Sequence, residues 1–184
     1  MSKIFSLFLL IFFSPILILV AIAIILNNGF PILFKQKRVG QNNTYFWIYK
    51  FRTMKGNTPD IATHLLKDSA SFYTSIGLLL RKFSLDELPQ LYNILKGDMM
   101  FIGPRPALYN QNDLIELRTQ AGVHLLMPGL TGWAQVNGRD KLPISEKVRL
   151  DVEYMERQSF CFDMKILWMT FLKVVRNGEC TRQA

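Results

Sequence analysis

Two neighbouring acids, Asp86 and Glu87, stand in the stretch SLDELPQL, residues 84–91, where a helix is about to begin. Their spacing admits two readings. Ser84 and Glu87 match the S-x-x-E capping box, and an apolar stripe follows at Leu88, Leu91, Tyr92 and Leu95. Capping leaves Asp86 without a task. The other reading is chemical. Near a helix N-terminus the macrodipole favours an ionised carboxylate and keeps Asp86 nucleophilic, and the same backbone donors welcome a phosphate. Adjacent side chains on a helix diverge, so the acids are expected to have separate roles and not to share one proton. Pro89 removes an early intrahelical bond, which predicts an irregular opening turn.

An anionic nucleophile approaching a diphosphate needs positive charge around it. Magnesium held by Asp86 and Glu87 together with substrate oxygens would supply it. Arg105, in GPRP at residues 103–106, offers a planar fork suited to phosphate from a loop stiffened by two prolines. Arg81, Lys50 and Arg52 could complete the cradle. Lys50 and Arg52 share one face of the alternating stretch TYFWIYKFRTM, residues 44–54, with Tyr45, Trp47, Tyr49 and Phe51 on the other, as a strand requires. An edge strand bearing solubilising charges fits the same pattern.

Around these residues the pattern predicts mainly helix with short β elements, an α+β chain. Ile76, Leu79, Leu80 and Phe83 fall at helical spacing and end in Arg81-Lys82, and the polar run before them, residues 55–64, reads as a loop. The helix after the acids stops at Gly97, and a short apolar piece, MMFI, follows. A helix is expected over much of residues 108–126. In PGLTGWAQVNGRD, residues 128–140, the glycines and Asn137-Gly138 signal tight turns with a short strand between them. Two last helices are expected near residues 145–158 and 163–176. The second carries Ile166, Leu167, Phe171, Leu172 and Val175, a stripe that suits a membrane interface or the core.

Residues 4–26 contain no charge, and as a straight helix they would span about 35 Å, enough for a hydrocarbon core. Ser14-Pro15 breaks the run near its middle. Proline predicts a kink, and the Ser14 hydroxyl can satisfy a freed carbonyl. A kinked spanning helix is one reading. Cations on both flanks, Lys3 on one side and Lys35, Lys37 and Arg38 on the other, give little orienting asymmetry and favour a re-entrant hairpin with both ends on one side.

The totals agree with one compact domain: 184 residues with a formal charge of +8. Such a balance suits phosphates or an anionic membrane surface, and the apolar start turns the reading away from nucleic acid. Cys161 and Cys180 form no metal-ligand spacing and read as ordinary thiols, while His64 and His124 are isolated.

Together, YKFRTM, SLDELPQLYNILKGDMMFIGPRP and PGLTGWAQVNGRD resemble the bacterial sugar transferases, the monotopic phosphoglycosyl transferases. The broken apolar start with Ser14-Pro15 resembles their re-entrant anchor. The similarity covers nearly the whole chain, and no transmembrane bundle precedes the anchor, which resembles the small form of the family. The resemblance implies a re-entrant membrane anchor at residues 1–34, a catalytic domain at residues 35–184 with amphipathic interfacial helices, and a place on the cytoplasmic face of the bacterial inner membrane. It implies transfer of a phospho-sugar from a UDP-sugar to polyprenol (undecaprenyl) phosphate, with magnesium, releasing UMP in the first membrane step of glycoconjugate assembly. Asp86 corresponds to the nucleophile that forms a covalent phospho-sugar intermediate, and Glu87 to its partner in proton transfer or ordering. Arg105 matches a residue linked to nucleotide or phosphate binding. Arg81 stands at a matching basic position, and Asp151 in LDVEY aligns with a family acid. Two departures, Phe83 where many members have threonine and a short segment after Met54, bear on sugar or nucleotide choice.

A membrane-anchored basic binding protein without catalysis would also explain the charge and the apolar start. It gives no reason for the acid pair, the arginine loop and the glycine-rich segment to occur together. A glycosidase needs two acids flanking a bond from opposite sides, which adjacent residues of one turn rarely achieve.

Overall fold

The computed structural model describes residues 2–56, 72–138 and 142–179, with residues 176–179 described by their backbone alone. His64, Arg139, Asp140, Cys180 and most of the expected loop at residues 55–64 lie outside the described residues.

The apolar start forms two helices, α1 (Ser2–Phe12) and α2 (Ser14–Asn28), bent by 60° at the break between them. Pro15 cannot donate to the Ile11 carbonyl four residues earlier, and Ser14 Oγ donates to that oxygen instead at 2.7 Å. Among the described residues no single helix is long and apolar enough to cross a membrane. The bent pair together meets that test.

The alternating stretch becomes β2 (Tyr45–Phe51). It pairs antiparallel with β1 (Leu33–Val39), a strand that the sequence pattern did not announce, in the register Lys35 to Tyr49 and Lys37 to Trp47. Phe46 and Ile48 are buried, while Tyr45 and Trp47 face outward. The cationic face of β2 is therefore the inward one, and Lys50 is no solubilising charge.

α3 (Ser75–Lys82) is capped by Thr74, whose hydroxyl accepts from Gly77 N at 3.0 Å. The expected capping box does not form. Ser84 adopts a left-handed conformation, φ 56°, and its side chain makes no cap. Residues Leu85–Glu87 make a single 3-10 turn, and α4 starts only at Gln90 and runs to Lys96. The cause is local. Pro89 has no N–H for the Leu85 carbonyl, and the backbone continues through i to i−3 bonds, Leu91 N to Leu88 O and Tyr92 N to Pro89 O, before α4 is established. Gly97 then ends α4 at φ 95°, a conformation that glycine adopts without a Cβ penalty.

MMFI supplies β3 (Met100–Ile102), which pairs in parallel with β4 (Gly129–Thr131). The short strand expected between tight turns in residues 128–140 is confined to the three residues of β4, and Trp133–Asn137 form a short helix, α6. Between the strands lie α5 (Asn112–Gln120) and a 3-10 turn at Val123–Leu125, where one longer helix was expected. Gly122, φ 78°, separates the two. α7 (Ile144–Arg157) and α8 (Phe160–Glu179) complete the described residues.

Apolar clusters join these elements. Phe46, Ile48, Leu91, Ile94 and Met99 unite β2 with α4, and Leu9 and Leu10 of α1 pack against them. Val20 and Ile24 of α2 meet Phe51 and Leu80, with Leu85 alongside. Ile166 and Phe162 of α8 bury against Ile102, Val136 and Tyr154. α8 has a second apolar side, with Phe160, Trp168 and Phe171 exposed, so the helix both packs on the core and presents an apolar surface. α3, which touches α8, exposes Leu78 and Leu79, and Phe83 just after it is exposed as well.

Candidate functional site

Glu87 is the meeting point. Lys50 Nζ lies 2.9 Å from its Oε1, and Arg105 Nη2 lies 3.4 Å from the same oxygen. Asp86, beside it, is buried, with 6% of its surface exposed. Three separate pieces of chain thus converge: the inner face of β2, the 3-10 turn before α4, and the GPRP loop.

Each piece is held by its neighbours. Asn93, fully buried in α4, receives Tyr49 N on its Oδ1 at 3.1 Å and donates to Trp47 O at 2.7 Å. That amide clamps β2 against α4 one residue from Lys50 and so sets the lysine opposite Glu87. A buried amide bonded on both sides is worth far more than its net hydrogen-bond energy if broken, because each orphaned partner keeps its desolvation penalty.

The GPRP loop is held at every carbonyl from residue 104 to residue 107. Pro104 O accepts from Gly129 N at 2.9 Å, Arg105 O from Arg118 Nη1 at 2.7 Å, Pro106 O from Arg38 Nη1 at 3.1 Å, and Ala107 O from Val39 N at 3.0 Å. The glycines of the PGLTG stretch make this closeness possible. A Cβ on Gly129 would stand 2.1 Å from Gly103 N, and one on Gly132 2.1 Å from Gly103 O. A loop fixed this way presents a guanidinium with little entropy left to lose.

Asp151 lies farther back. It is buried in α7 and takes Arg118 Nη2 at 2.6 Å and Nε at 3.0 Å on one oxygen. Burial pushes its carboxyl above the usual range, and the Arg118 guanidinium opposes that push. Through Arg118 it supports the Arg105 carbonyl. Arg52 is placed elsewhere, donating to the carbonyls of Asn28, Gly29 and Phe30 at the end of α2. Arg81 donates to the Tyr73 hydroxyl, with its guanidinium 4.9 Å from that ring centroid. The structure therefore brings Lys50 and Arg105 together on Glu87 beside Asp86, and places Arg52 and Asp151 on other partners.

Burial lowers the Lys50 ammonium to about 8 and outweighs the attraction of Glu87, while Arg105 lowers it further and Asp86 raises it. Arg118 and Asn93 were not singled out from sequence. For Asn93 a signal existed, a polar residue inside an apolar helical stripe. For Arg118 there was none beyond a cation in a polar helix.

Two adjacent carboxylates, one buried, make a donor set of the kind magnesium uses when phosphate oxygens complete its shell. Among the described residues no group of three or more His, Cys, Asp and Glu side chains could form an all-protein cage.

Comparison with known proteins agrees with the motifs. Residues 1–177 match the family described as bacterial sugar transferase. The chain is 46% identical over 165 residues to the uncharacterized sugar transferase EpsL of Bacillus subtilis (strain 168), covering 88% of this chain and 79% of that protein. It is 37% identical over 172 residues to the UDP-glucose:undecaprenyl-phosphate glucose-1-phosphate transferase of Escherichia coli (strain K12), covering 90% of this chain and 37% of that one. It is 36% identical over 169 residues to the UDP-N-acetylgalactosamine-undecaprenyl-phosphate N-acetylgalactosaminephosphotransferase of Aeromonas hydrophila, covering 89% and 40%. The chain thus spans well under half the length of those two transferases. The resemblance first carried by the acid pair, the arginine loop and the glycine-rich segment is met by these matches, and the chain belongs to the bacterial sugar transferase family of enzymes.

Proposed function

We propose that the protein transfers a phospho-sugar from a UDP-sugar to undecaprenyl phosphate through a covalent intermediate on Asp86. The observation that carries this reading is the convergence of Lys50 and Arg105 on Glu87, beside the buried Asp86. In the first half-reaction an Asp86 carboxylate oxygen attacks the phosphorus that bears the sugar. The bond from that phosphorus to the bridging oxygen breaks, and UMP leaves with the electron pair. In the second, a phosphate oxygen of the polyprenyl acceptor attacks the same phosphorus and displaces Asp86, giving polyprenyl diphospho-sugar. Lys50 and Arg105 offset the charge of the diphosphate. Glu87 holds both cations in place and is suited to order them around the incoming donor. Asp86 and Glu87 would hold magnesium, which neutralises diphosphate charge when bound. Arg81 is a further cation offered from α3, Arg52 ties the strand that carries Lys50 to the end of α2, and Asp151 supports the site through Arg118.

The acceptor resides in lipid and the donor in water, so the site belongs at their boundary. The outward apolar sides of α1, α2, α3 and α8 support a membrane-facing surface, with the bent pair as a re-entrant anchor and the site toward the cytoplasm. The names of relatives acting on undecaprenyl phosphate support the acceptor. The test is to offer the bilayer-reconstituted protein a panel of UDP-sugars with undecaprenyl phosphate and magnesium, and to identify the nucleotide released. UMP is expected; UDP overturns the mechanism, because it marks ordinary glycosyl transfer.

A further inference from the structure

The bent N-terminal pair holds the chain on both sides of the carboxylates. α1 packs along α4: Ser6, fully buried, donates its hydroxyl to Leu91 O at 2.5 Å, and Phe5 meets Phe101 with ring centroids 5.4 Å apart. Leu9 and Leu10 add apolar contact to the cluster that contains Leu91 and Ile94. α2 grips the other side, where Val20 and Ile24 pack with Leu80 and Leu85. Asp86 and Glu87 thus lie in sequence between Leu85, packed with α2, and Leu91, bonded to α1. Arg52 ties the end of α2 to β2, two residues from Lys50.

These contacts differ in kind. Apolar packing is non-directional and tolerates sliding of one helix on another. A hydrogen bond fixes register, and a hydroxyl with no exposure would be penalised unless its partner stayed in place. Ser6 is polar, fully buried and aimed at α4, so its bond defines one position of α1 along that helix.

We propose that the helix pair is part of the apparatus that places the carboxylates, and that Ser6 is a positioning residue whose bond to Leu91 sets Asp86 and Glu87 relative to Lys50 and Arg105. This rests on the assignment of Asp86 and Glu87 as the reacting pair. A displacement of about 1 Å at reacting atoms lowers a rate by on the order of a hundredfold, so even a partial slip of α4 would be visible in turnover.

The test compares the full chain in lipid nanodiscs with Ser6→Ala and with Ser6→Cys, which keeps a weak donor on a somewhat larger atom. For Ser6→Ala we expect kcat per folded enzyme to fall about tenfold or more, with KM for donor and acceptor within about twofold. Amide exchange over residues 84–92 should rise without substrates, and Ser6→Cys should retain more of the rate. A parental kcat, a loss that only follows the folded fraction, or unchanged exchange over residues 84–92 overturns the proposal. Asp86→Asn in the same assay separates the two claims. Full activity there overturns the assignment of the pair, whereas an inactive Asp86→Asn beside a parental Ser6→Ala overturns only the positioning role.

Discussion

Lys50 Nζ stands 2.9 Å from Oε1 of Glu87, on the inward face of a strand whose outward face carries Tyr45 and Trp47. Burial lowers this ammonium from 10.5 to about 8, so the charge is present at neutral pH and is lost as pH rises through about 8. The KM for the UDP-sugar is expected to rise above that point. Lys50→Arg, whose guanidinium stays protonated, should remove the alkaline limb even if it lowers the rate. Stability follows the opposite course. The folded pKa lies below the unfolded one, so the unfolded chain binds more protons between about 8 and 10.5, and the contribution of Lys50 to stability rises across that window. Donor KM profiles from neutral to alkaline pH check the first statement, and denaturant midpoints check the second.

Asp86→Asn keeps the shape of the side chain and removes its nucleophilic charge. Turnover is expected to fall by on the order of a thousandfold or more, while Glu87→Gln falls less, because it loosens Lys50 and Arg105 without removing the attacking atom. Intact mass measurement of the parent mixed with donor alone should show the phospho-sugar adduct, and Asp86→Asn should show none.

Asp151 is buried, and Arg118, largely shielded from water, joins it to the Arg105 carbonyl. Removing either partner leaves a buried charge without its counterion. Arg118→Met and Asp151→Asn are each expected to lose about 3–5 kcal/mol of stability, and the double variant less than their sum. Denaturant unfolding of the three variants tests the coupling. Donor KM should rise in Arg118→Met, because the loop presenting Arg105 loses one of its ties.

Gly132→Ala places a Cβ 2.1 Å from the Gly103 carbonyl oxygen, a backbone atom that no rotamer change can move. A loss of about 1–3 kcal/mol is expected, with weaker donor binding through the displaced GPRP loop. At Gly56, where a Cβ meets nothing within 4 Å among the described residues, the same substitution should stay within about 0.5 kcal/mol. Unfolding midpoints and donor KM compare the two.

Removing the break with a Ser14→Ala, Pro15→Ala double variant restores an N–H donor for the Ile11 carbonyl and favours a straighter helix. The parent should keep an N-terminal tag on the same side as the catalytic residues, as a re-entrant pair requires. The double variant should move part of the population to the opposite side. Labelling with a membrane-impermeant reagent reads the distribution.

Much of this molecule is written locally. Residues 4–26 lack charge and contain Ser14-Pro15, which sufficed to expect the break and the hydroxyl that mends it, because both effects act within four residues. The period-two pattern marked β2, and helical spacing marked α3, α7 and α8 to within a few residues, since periodicity reports which side of an element is buried. The acid pair, Arg105 and the glycine-rich stretch could be picked out as chemistry-bearing by residue type.

Tertiary contacts decided the rest. The S-x-x-E spacing at Ser84 pointed to a cap, yet Ser84 is left-handed and Leu85 packs beside α2; only the irregular turn that Pro89 imposes was legible beforehand. β1 carries Lys35, Lys37 and Arg38 and lacks clean alternation, so only pairing with β2 made it a strand. No spacing separates Lys50, on Glu87, from Arg52, on the carbonyls of α2, although both share one face. Asn93 and Arg118 act through partners 44 to 46 and 33 residues away. Residue type and period determined which groups could react and which elements would carry them. Burial and long-range hydrogen bonds decided which of those groups meet, because a side chain's partner depends on the path of the whole backbone.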